Sequence, residues 1–354
     1  MFRKNAGSCK LNYPHLLSQA MATRAIYISN IRILATIGVI LIHATTGYLQ
    51  SAAVGSFNWD YANWINGLTR SAVPLFVMIS GALLLQKDES TVDFYKNRLL
   101  KIVPPFLFWT IVYIIYYFSR YTSFDQLSFQ QIVTIAWQKM RTGANAHLWY
   151  LYMILGLYLT VPFLRKMIRS ASLREIEIFL LIWFASLYVS NKRWEEYFLK
   201  IDLTFFSGYI GYFVLGYYLS VKDFSRQKIL SLLIFTAACV FTIYITHHLS
   251  IAQQKYDPSF YGYVLPNTAL AAAGIFTFLK GVSFTQNIPG WMDAIDKYSF
   301  GIYLAHILIL NYVHPRLPDE IWIKVPMATI ATLLGSMLLI YLIRKIPYGK
   351  YVSG

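Results

Sequence analysis

Residues 30–43, with the sequence NIRILATIGVILIH, decide how this chain is interpreted. The stretch is apolar enough for a membrane helix, yet it carries Arg32 and His43. Eleven residues at about 100° each make roughly three turns, so both side chains lie on one face, roughly 16 Å apart along the axis. Ionisable residues within a membrane are costly and mark functional sites by default. We therefore expect an anion anchor near one membrane surface and a proton-transfer group near mid-depth.

The composition indicates a polytopic α-helical membrane protein. The 354 residues are 57% hydrophobic and only 13% charged, whereas soluble domains carry about 25% charged residues. The net charge of +15 is explained by basic cytoplasmic loops and does not require a nucleic-acid partner. Cys9 lies in the N-terminal tail and Cys239 in a hydrophobic segment, so no disulfide is expected.

Hydropathy predicts an all-α bundle of about ten transmembrane helices. Twenty lysines and arginines fall in the segments on the side of the N-terminus and nine on the other side, counting Lys324 at the outer edge of the last span, with Arg32 and Arg70 inside spans. The positive-inside rule therefore predicts that both termini are cytoplasmic. The predicted spans are residues 27–48, 68–86, 102–119, 147–164, 176–190, 204–220, 229–248, 261–279, 298–314 and 323–343.

One membrane domain is expected over residues 25–346, because no internal repeat or low-complexity segment occurs. Residues 1–24 are predicted to be a tail, either disordered or upstream of a true start at Met21, and residues 347–354 a C-terminal tail. In the longest outer loop, Ser128 is placed to cap an amphipathic helix that would lie on the outer membrane surface or re-enter as a lid. Its predicted apolar face comprises Phe129, Ile132, Val133, Ala136, Trp137 and Met140.

His43 is the leading candidate for catalysis. A neutral imidazole can accept a proton from a hydroxyl near neutral pH, which is the task of a general base. Arg32 would hold a phosphate or another anion that enters from the cytoplasm. The structural alternatives are that His43 bonds a neighbouring helix and that Arg32 extends to the inner surface. Their shared face favours function.

The first predicted cytoplasmic loop adds the basic residues Lys96, Arg98 and Lys101. Arg98 and Lys101 are three residues apart and would share one face of a helix. Alone they would be an ordinary positive-inside cluster. Beside Arg32 they would form a phosphate-binding rim.

Four residues are candidates for lining a pore or contacting an acceptor. Arg70 opens the second predicted span from the outer side, where it would either contact an anionic or glycan acceptor or extend into water. His147 and Trp149 begin the fourth span, a position where such residues usually anchor a helix at the interface. His306 lies about 12 Å into the ninth span. Because this depth is similar to that of His43, the two histidines can line one cavity.

Several kinds of site are missing from the sequence. It has no HExxH, CxxC, P-loop or GxGxxG motif, and the adjacent His247 and His248 would point about 100° apart on a helix. No metal site is therefore expected. The predicted spans contain no aspartate or glutamate except Glu177 at an edge. Proton-coupled transporters usually carry carboxylates at mid-depth, so this composition disfavours a transporter.

These segments together resemble the membrane acyltransferase-3 family, which modifies surface glycans. Arg32 and His43, with ten residues between them, match the signature of that family's first helix, and the resemblance extends from about Ala25 over nearly the whole chain. Lys101 stands where the family more often has arginine. The other matching segments are residues 73–81 (VPLFVMISG), 98–105 (RLLKIVPP), 147–150 (HLWY) and 301–306 (GIYLAH).

The resemblance implies an O-acetyltransferase of the bacterial inner membrane that uses cytoplasmic acetyl-CoA and holds no permanent cofactor. Arg32, Arg98 and Lys101 would bind the donor's phosphates, and the pantetheine arm would extend toward His43. His43 would act as a general base on a hydroxyl of a surface-glycan sugar or its lipid-linked precursor, or would carry the acyl group itself. The alternatives are a transporter or flippase of a glycan or lipid intermediate and a structural partner in a glycan-assembly complex.

Overall fold

The computed structural model describes residues 13–121, 127–189, 208–282 and 289–354, which form a bundle of helices without strands in these ranges. The helices follow one another through short connections. They are α1 (Tyr13–Ser51), α2 (Phe57–Thr69), α3 (Ala72–Leu84), α4 (Thr91–Tyr121), α5 (Phe129–Thr142), α6 (Trp149–Ser170), α7 (Leu173–Val189), α8 (Tyr209–Val221), α9 (Lys228–Gln253), α10 (Pro266–Gly281), α11 (Gly290–Val313), α12 (Ile321–Lys345) and α13 (Gly349–Val352).

Six segments of the described chain are long and apolar enough to cross a membrane. The all-α membrane fold is thereby confirmed, whereas the count of ten spans and the cytoplasmic termini stay predictions. Helices α2 and α3 together make one of the six segments, which is interrupted at Arg70 and Ser71. The six are Ile26–Ser51, Phe57–Leu84, Thr91–Arg120, Trp149–Ser170, Ser225–Gln253 and Ile321–Lys345.

Residues 49–67, which hydropathy predicts to be an outer loop, contain helix α2 instead. The helix begins at a Ser56 cap that accepts a hydrogen bond from the backbone N–H of Trp59 at 3.3 Å. Its polar side chains lower the hydropathy but are buried in the bundle. Asn63 donates to the carbonyl oxygen of Ile243 and Asn66 to that of Ile42, so the N–H groups of both amides bond within the bundle.

Helical residues occur within both predicted tails, and their assignment as tails stays a prediction. Helix α1 begins at Tyr13, so residues 13–24 continue the first span as a helix, and residues 1–12 lie outside the described residues. At the other end, residues 349–352 form α13, which packs against α4 and α12. A hydropathy pattern cannot detect either segment, because one is polar and the other is a single turn.

The predicted surface helix is present as α5. Ser128 accepts a hydrogen bond from the backbone N–H of Gln131, whose side chain accepts one from the N–H of Ser128, so a capping box starts the helix. No residue of α5 is buried in the bundle, and Phe129 and Trp137 are exposed. The described chain leaves Phe129 and Trp137 of the apolar face uncovered, and the position of α5 at the outer membrane surface stays a prediction.

Helix α1 lies at the centre of the bundle, where it packs against α2, α3, α10, α11 and α12. Its residues Ile31 and Ala35 are fully buried. Gly38 allows a close approach to α3, because a Cβ there would crowd the methyl group of Ala72. The face that carries Arg32 and His43 is thus surrounded by protein.

Glycines bring the backbones of α3 and α8 into direct contact. A Cβ on Gly81 of α3 would overlap the carbonyl of Phe213, and one on Gly216 of α8 would overlap the carbonyl of Met78. Small residues allow helices in membranes to approach in this way. The reciprocal contact fixes α3, whose next residues line the cavity described below.

We expect Gly81→Ala and Gly216→Ala each to destabilise the protein by about 1–3 kcal/mol or more, because the backbone must move to admit the methyl group. Thermal unfolding of the purified protein in detergent measures the loss. Gly156→Ala in α6 is the matched control, since open space surrounds that glycine. Equal unfolding temperatures for all three variants would contradict the close contact of α3 and α8.

Candidate active site

Two polar contacts join α1 to α11, one at each end of the shared face. Arg32 forms an ion pair with Asp296 of α11, and Ser29 donates a 2.8 Å hydrogen bond to the same carboxylate. About three turns further along both helices, the rings of His43 and His306 lie 5.2 Å apart. Along both α1 and α11 the charged residue precedes the histidine, so the two helices run parallel and in register.

Asp296 is a partner of Arg32 that the sequence pattern does not predict. The hydropathy pattern places residues 280–297 in a loop, but α11 begins at Gly290 and carries Asp296 into the bundle. A charged side chain in such surroundings is stable only with a partner. The presence of an isolated arginine in the first span is the one signal that could have predicted a carboxylate opposite it.

His147 completes a cluster of three histidines. Its ring centre lies 5.0 Å from that of His306 and 6.3 Å from that of His43. The sequence favours an interfacial anchor at this position, but the structure buries His147 at 2% exposure. His306 is fully buried and His43 partly so. His43 and His306 lie close together, as their similar depths predict, but of the two only His306 borders a cavity given for the described residues, and the approach of His147 results from packing.

Hydrogen bonds determine which nitrogens of the two buried rings carry protons. Nδ1 of His306 lies 2.6 Å from the carbonyl oxygen of Tyr303, and Nδ1 of His147 lies 3.2 Å from Oδ1 of Asn145. A backbone carbonyl oxygen only accepts, so Nδ1 of His306 must be the donor, and in the neutral ring its Nε2 keeps the lone pair. Both Nε2 atoms are buried without a hydrogen-bond partner in the described structure.

Two tyrosines hold this cluster in place. The hydroxyl of Tyr113 donates to the carbonyl oxygen of Leu304 at 2.8 Å, and that of Tyr303 donates to the carbonyl oxygen of His147. Their rings lie 4.9 Å and 5.6 Å from the ring of His147. Both hydroxyls donate to backbone carbonyl oxygens and not to an imidazole ring. The tyrosine rings therefore hold the histidines by packing.

A cavity of about 1060 Å³ opens at the end of the bundle that holds Arg32. Six basic side chains line it, and among the described residues no acidic one does. Its walls are otherwise mostly apolar. The basic lining residues are Arg32, Lys87, Lys96, Arg98, Lys101 and Lys350.

The inner end of the cavity points toward the histidine cluster. Tyr150 and Tyr303 line that end, together with Phe76. Phe76 and Tyr303 also border a second void, too narrow for a water molecule, whose far wall includes His306. Phe76 and Tyr303 therefore lie between the basic cavity and the small void beside His306.

The basic residues of the mouth differ in how they are held. Arg98 is partly buried, and its Nε atom has no hydrogen-bond partner in the described structure. Lys96 and Lys101 are exposed, so they offer mobile point charges. Arg32 lines the same cavity with part of its guanidinium engaged by Asp296. The predicted grouping of Arg32, Arg98 and Lys101 around one space is therefore present, while their role stays a prediction.

A buried ion pair secures the loop that follows α3 at this mouth. Arg165 of α6 donates to Glu89 at 3.1 Å and to the carbonyl oxygen of Leu84 at 2.8 Å. Burial disfavours the charge of Glu89, yet hydrogen bonds from Asn97 and Arg165 outweigh that effect and lower the pKa of the carboxyl. The carboxylate stays ionised near neutral pH, so the loop remains attached to α6.

Arg70 and Trp149 meet through Tyr263 rather than at the outer surface. Arg70 donates to the hydroxyl of Tyr263 at 3.1 Å and lies over the ring of Tyr261 at 4.5 Å. Trp149 stacks on the ring of Tyr263 at 5.7 Å. Because α2 precedes it, Arg70 lies at the junction of α2 and α3 instead of opening a span, and its side chain is partly buried. Its Nε is buried without a hydrogen-bond partner.

No group of three or more His, Cys, Asp or Glu side chains in the described ranges is arranged to hold a metal ion. The three histidine rings pack against one another, and the Nε2 atoms of His147 and His306 have no hydrogen-bond partner in the described structure. Such an arrangement can accept protons from, or attack, a group that reaches it.

Comparison with known proteins assigns the family. A family model described as an acyltransferase domain matches residues 25–343, which include every residue of the histidine cluster. The chain thus belongs to the acyltransferase-3 family and is a membrane acyltransferase. No curated protein and no solved structure matched the chain.

The hydrogen bond from His306 to Tyr303 predicts that His306 is the Nδ1–H tautomer. Nitrogen-15 NMR of histidine-labelled protein in detergent distinguishes the two tautomers by their ring nitrogen shifts, and the His306→Asn spectrum assigns the signal. We expect a protonated Nδ1 and an unprotonated Nε2. A proton on Nε2 alone would contradict the arrangement of lone pairs described here.

Proposed function

We propose that this protein transfers an acetyl group from acetyl-CoA to a hydroxyl of a surface-glycan sugar or its lipid-linked precursor in the bacterial inner membrane. The observation that carries this proposal is the basic cavity whose inner end leads to the histidine cluster. The charge count supports a cytoplasmic position for the cavity mouth, on the side of the membrane where acetyl-CoA would be available. The family supports the acyl transfer itself.

The cavity suits a large, anionic donor with a narrow apolar arm. Ligand sites commonly measure about 300–1,000 Å³ and combine apolar walls with a few placed polar groups. The volume of about 1060 Å³ lies at the upper end of that range. The unpartnered Nε of Arg98 would donate to a phosphate oxygen, which removes the cost of leaving it unbonded.

Arg32 would contribute through the part of its guanidinium that Asp296 leaves available. Arginine has five N–H donors in a planar fork, so one side can bind a carboxylate while another binds a phosphate. Asp296 would then position Arg32 as well as neutralise part of its charge. Lys101 would add a point charge without bidentate geometry.

The chemistry follows from the position of the histidines. The pantetheine arm would pass Phe76 and Tyr303 and bring the thioester to the cluster. His43 would take the proton of the acceptor hydroxyl as its oxygen attacks the thioester carbonyl. The C–S bond then breaks, and the departing thiolate takes the proton from His43. Proton transfer by a placed side chain typically contributes about 10²–10⁴-fold to a rate.

The acceptor would approach from the opposite side, where Arg70 and Trp149 lie. Aromatic rings around an arginine suit a sugar that carries an acidic group, because the rings pack on the sugar face and the guanidinium binds the anion. Residues 59–70 also resemble the corresponding stretch of the O-acetyltransferase of enterobacterial common antigen. We therefore favour a lipid-linked glycan intermediate as the acceptor class.

A transporter or flippase is the alternative, and neither the family nor the described charges favour it. Asp296, a carboxylate of α11, is paired with Arg32 instead of standing alone at mid-depth. Mass spectrometry of surface glycans from cells with and without the gene separates the two. Loss of O-acetyl groups from glycans that still reach the surface supports the transferase, whereas loss of the glycan itself supports transport.

Removal of cavity cations should weaken donor binding. We expect Arg98→Ala and Lys101→Ala to raise the Kd for CoA, with the larger effect, about tenfold or more, at Arg98 because a charged hydrogen bond contributes about 1.5–3 kcal/mol. Isothermal titration of the purified protein measures it. Lys166→Ala is the control, because Lys166 is exposed and lies outside the cavity. An unchanged Kd in both cavity variants would contradict the donor site.

Removal of the general base should abolish transfer and leave the fold intact. His43→Ala is expected to reduce acetyl transfer by at least about a hundredfold while CoA binding persists. The matched control is His248→Ala, since His248 is exposed on α9 away from the cluster. The His43→Ala protein is folded if it purifies as a monodisperse species and unfolds at the same temperature as the unsubstituted protein. Full activity of His43→Ala would overturn the assignment.

A further inference from the structure

The chain turns back after α12 and enters the mouth of the basic cavity. Helix α12 ends at Lys345, and the backbone reverses at Tyr348, which has a positive φ of 62°. The short helix α13 then brings Lys350 and Tyr351 to the cavity wall, and Gly354 lines it as well. This stretch lies outside the residues that match the family model, which end at 343.

Three helices hold this segment by specific contacts. The indole N–H of Trp109 on α4 donates to the carbonyl oxygen of Val352 at 3.0 Å. Arg344 of α12 donates to the hydroxyl of Ser353 at 3.1 Å and to the carbonyl oxygen of Gly354. The side chain of Ser353 is fully buried.

The C-terminal segment also lies close to α11. A Cβ on Gly301 would collide with the carbonyl oxygen of Ser353, so the segment lies directly on the backbone of α11. Gly301 is five residues before His306 on the same helix. The segment is therefore a fixed part of the bundle and not a free tail.

We propose that residues 348–354 form a wall of the acyl-CoA site and that Lys350 is a further phosphate-binding residue of that site. This inference rests on the proposed function. Lys350 is exposed at a mouth whose other charged lining residues are all basic, so an anion there is attracted by every neighbour. The contacts of Trp109 and Arg344 position the segment that carries it.

The test compares two lysines of equal charge that lie five residues apart. Lys350→Ala is expected to raise the Kd for CoA by about three- to tenfold at low salt and less at high salt, because the charge is exposed to solvent. Lys345→Ala is the control, since Lys345 is exposed but lies outside the cavity. Isothermal titration of the full-length protein gives both values.

A second substitution tests the positioning role. Trp109→Phe removes the N–H that holds Val352 and keeps an aromatic ring. If Trp109 acts by positioning Lys350, the effect of Trp109→Phe on the Kd for CoA should largely disappear when Lys350 is already alanine. Two substitutions that act through one group do not have additive effects. Fully additive effects would contradict that role.

The outcomes separate this inference from the proposed function. Equal Kd values for Lys350→Ala and Lys345→Ala, together with weakened binding in Arg98→Ala, overturn the role of Lys350 alone. Unchanged CoA binding in Arg98→Ala overturns the donor site itself. Weakened binding in both Lys350→Ala and Arg98→Ala, with Lys345→Ala unchanged, supports the proposal.

Discussion

The structure depends on the ion pair between Arg32 and Asp296. A charged side chain within a membrane bundle needs a partner, and here the partner sits on α11, the helix that also carries His306. The pair sets the register of α1 against α11. Because both helices run in the same direction, that register brings His43 and His306 together about three turns away. One electrostatic requirement thus aligns the two ends of the proposed reaction path.

Charge is distributed unevenly along this path, and the distribution suits the proposed chemistry. The mouth of the cavity is lined by basic side chains, whereas the inner end meets imidazoles whose Nε2 lone pairs have no partner in the described structure. An anionic donor would be bound at the mouth by charge, and its reactive group would arrive among lone pairs that accept protons. Tight glycine contacts between α3 and α8 and the seat of α13 on α11 supply the rigid walls for such a site.

Local patterns predicted more of the fold than of the contacts between helices. The capping box at Ser128 and Gln131 is readable because cap and helix are neighbours in sequence, and the spacing of Arg32 and His43 follows from helix geometry. The hydropathy pattern does not place Asp296 in a helix of the bundle, because the charged residues at the start of α11 lower the mean hydropathy of that segment. The burial of His147 and the seat of Lys350 arise from packing between distant segments, for which a single sequence carries no periodic signal.

The most direct test is a cryo-electron microscopy structure of the protein with CoA bound. The account predicts phosphates beside Arg98 and the other basic residues of the mouth, and a pantetheine arm that passes Phe76 and Tyr303 and places its sulfur beside the histidine cluster. The account would be contradicted by CoA bound at another surface, or by a sulfur atom held away from His43, His147 and His306.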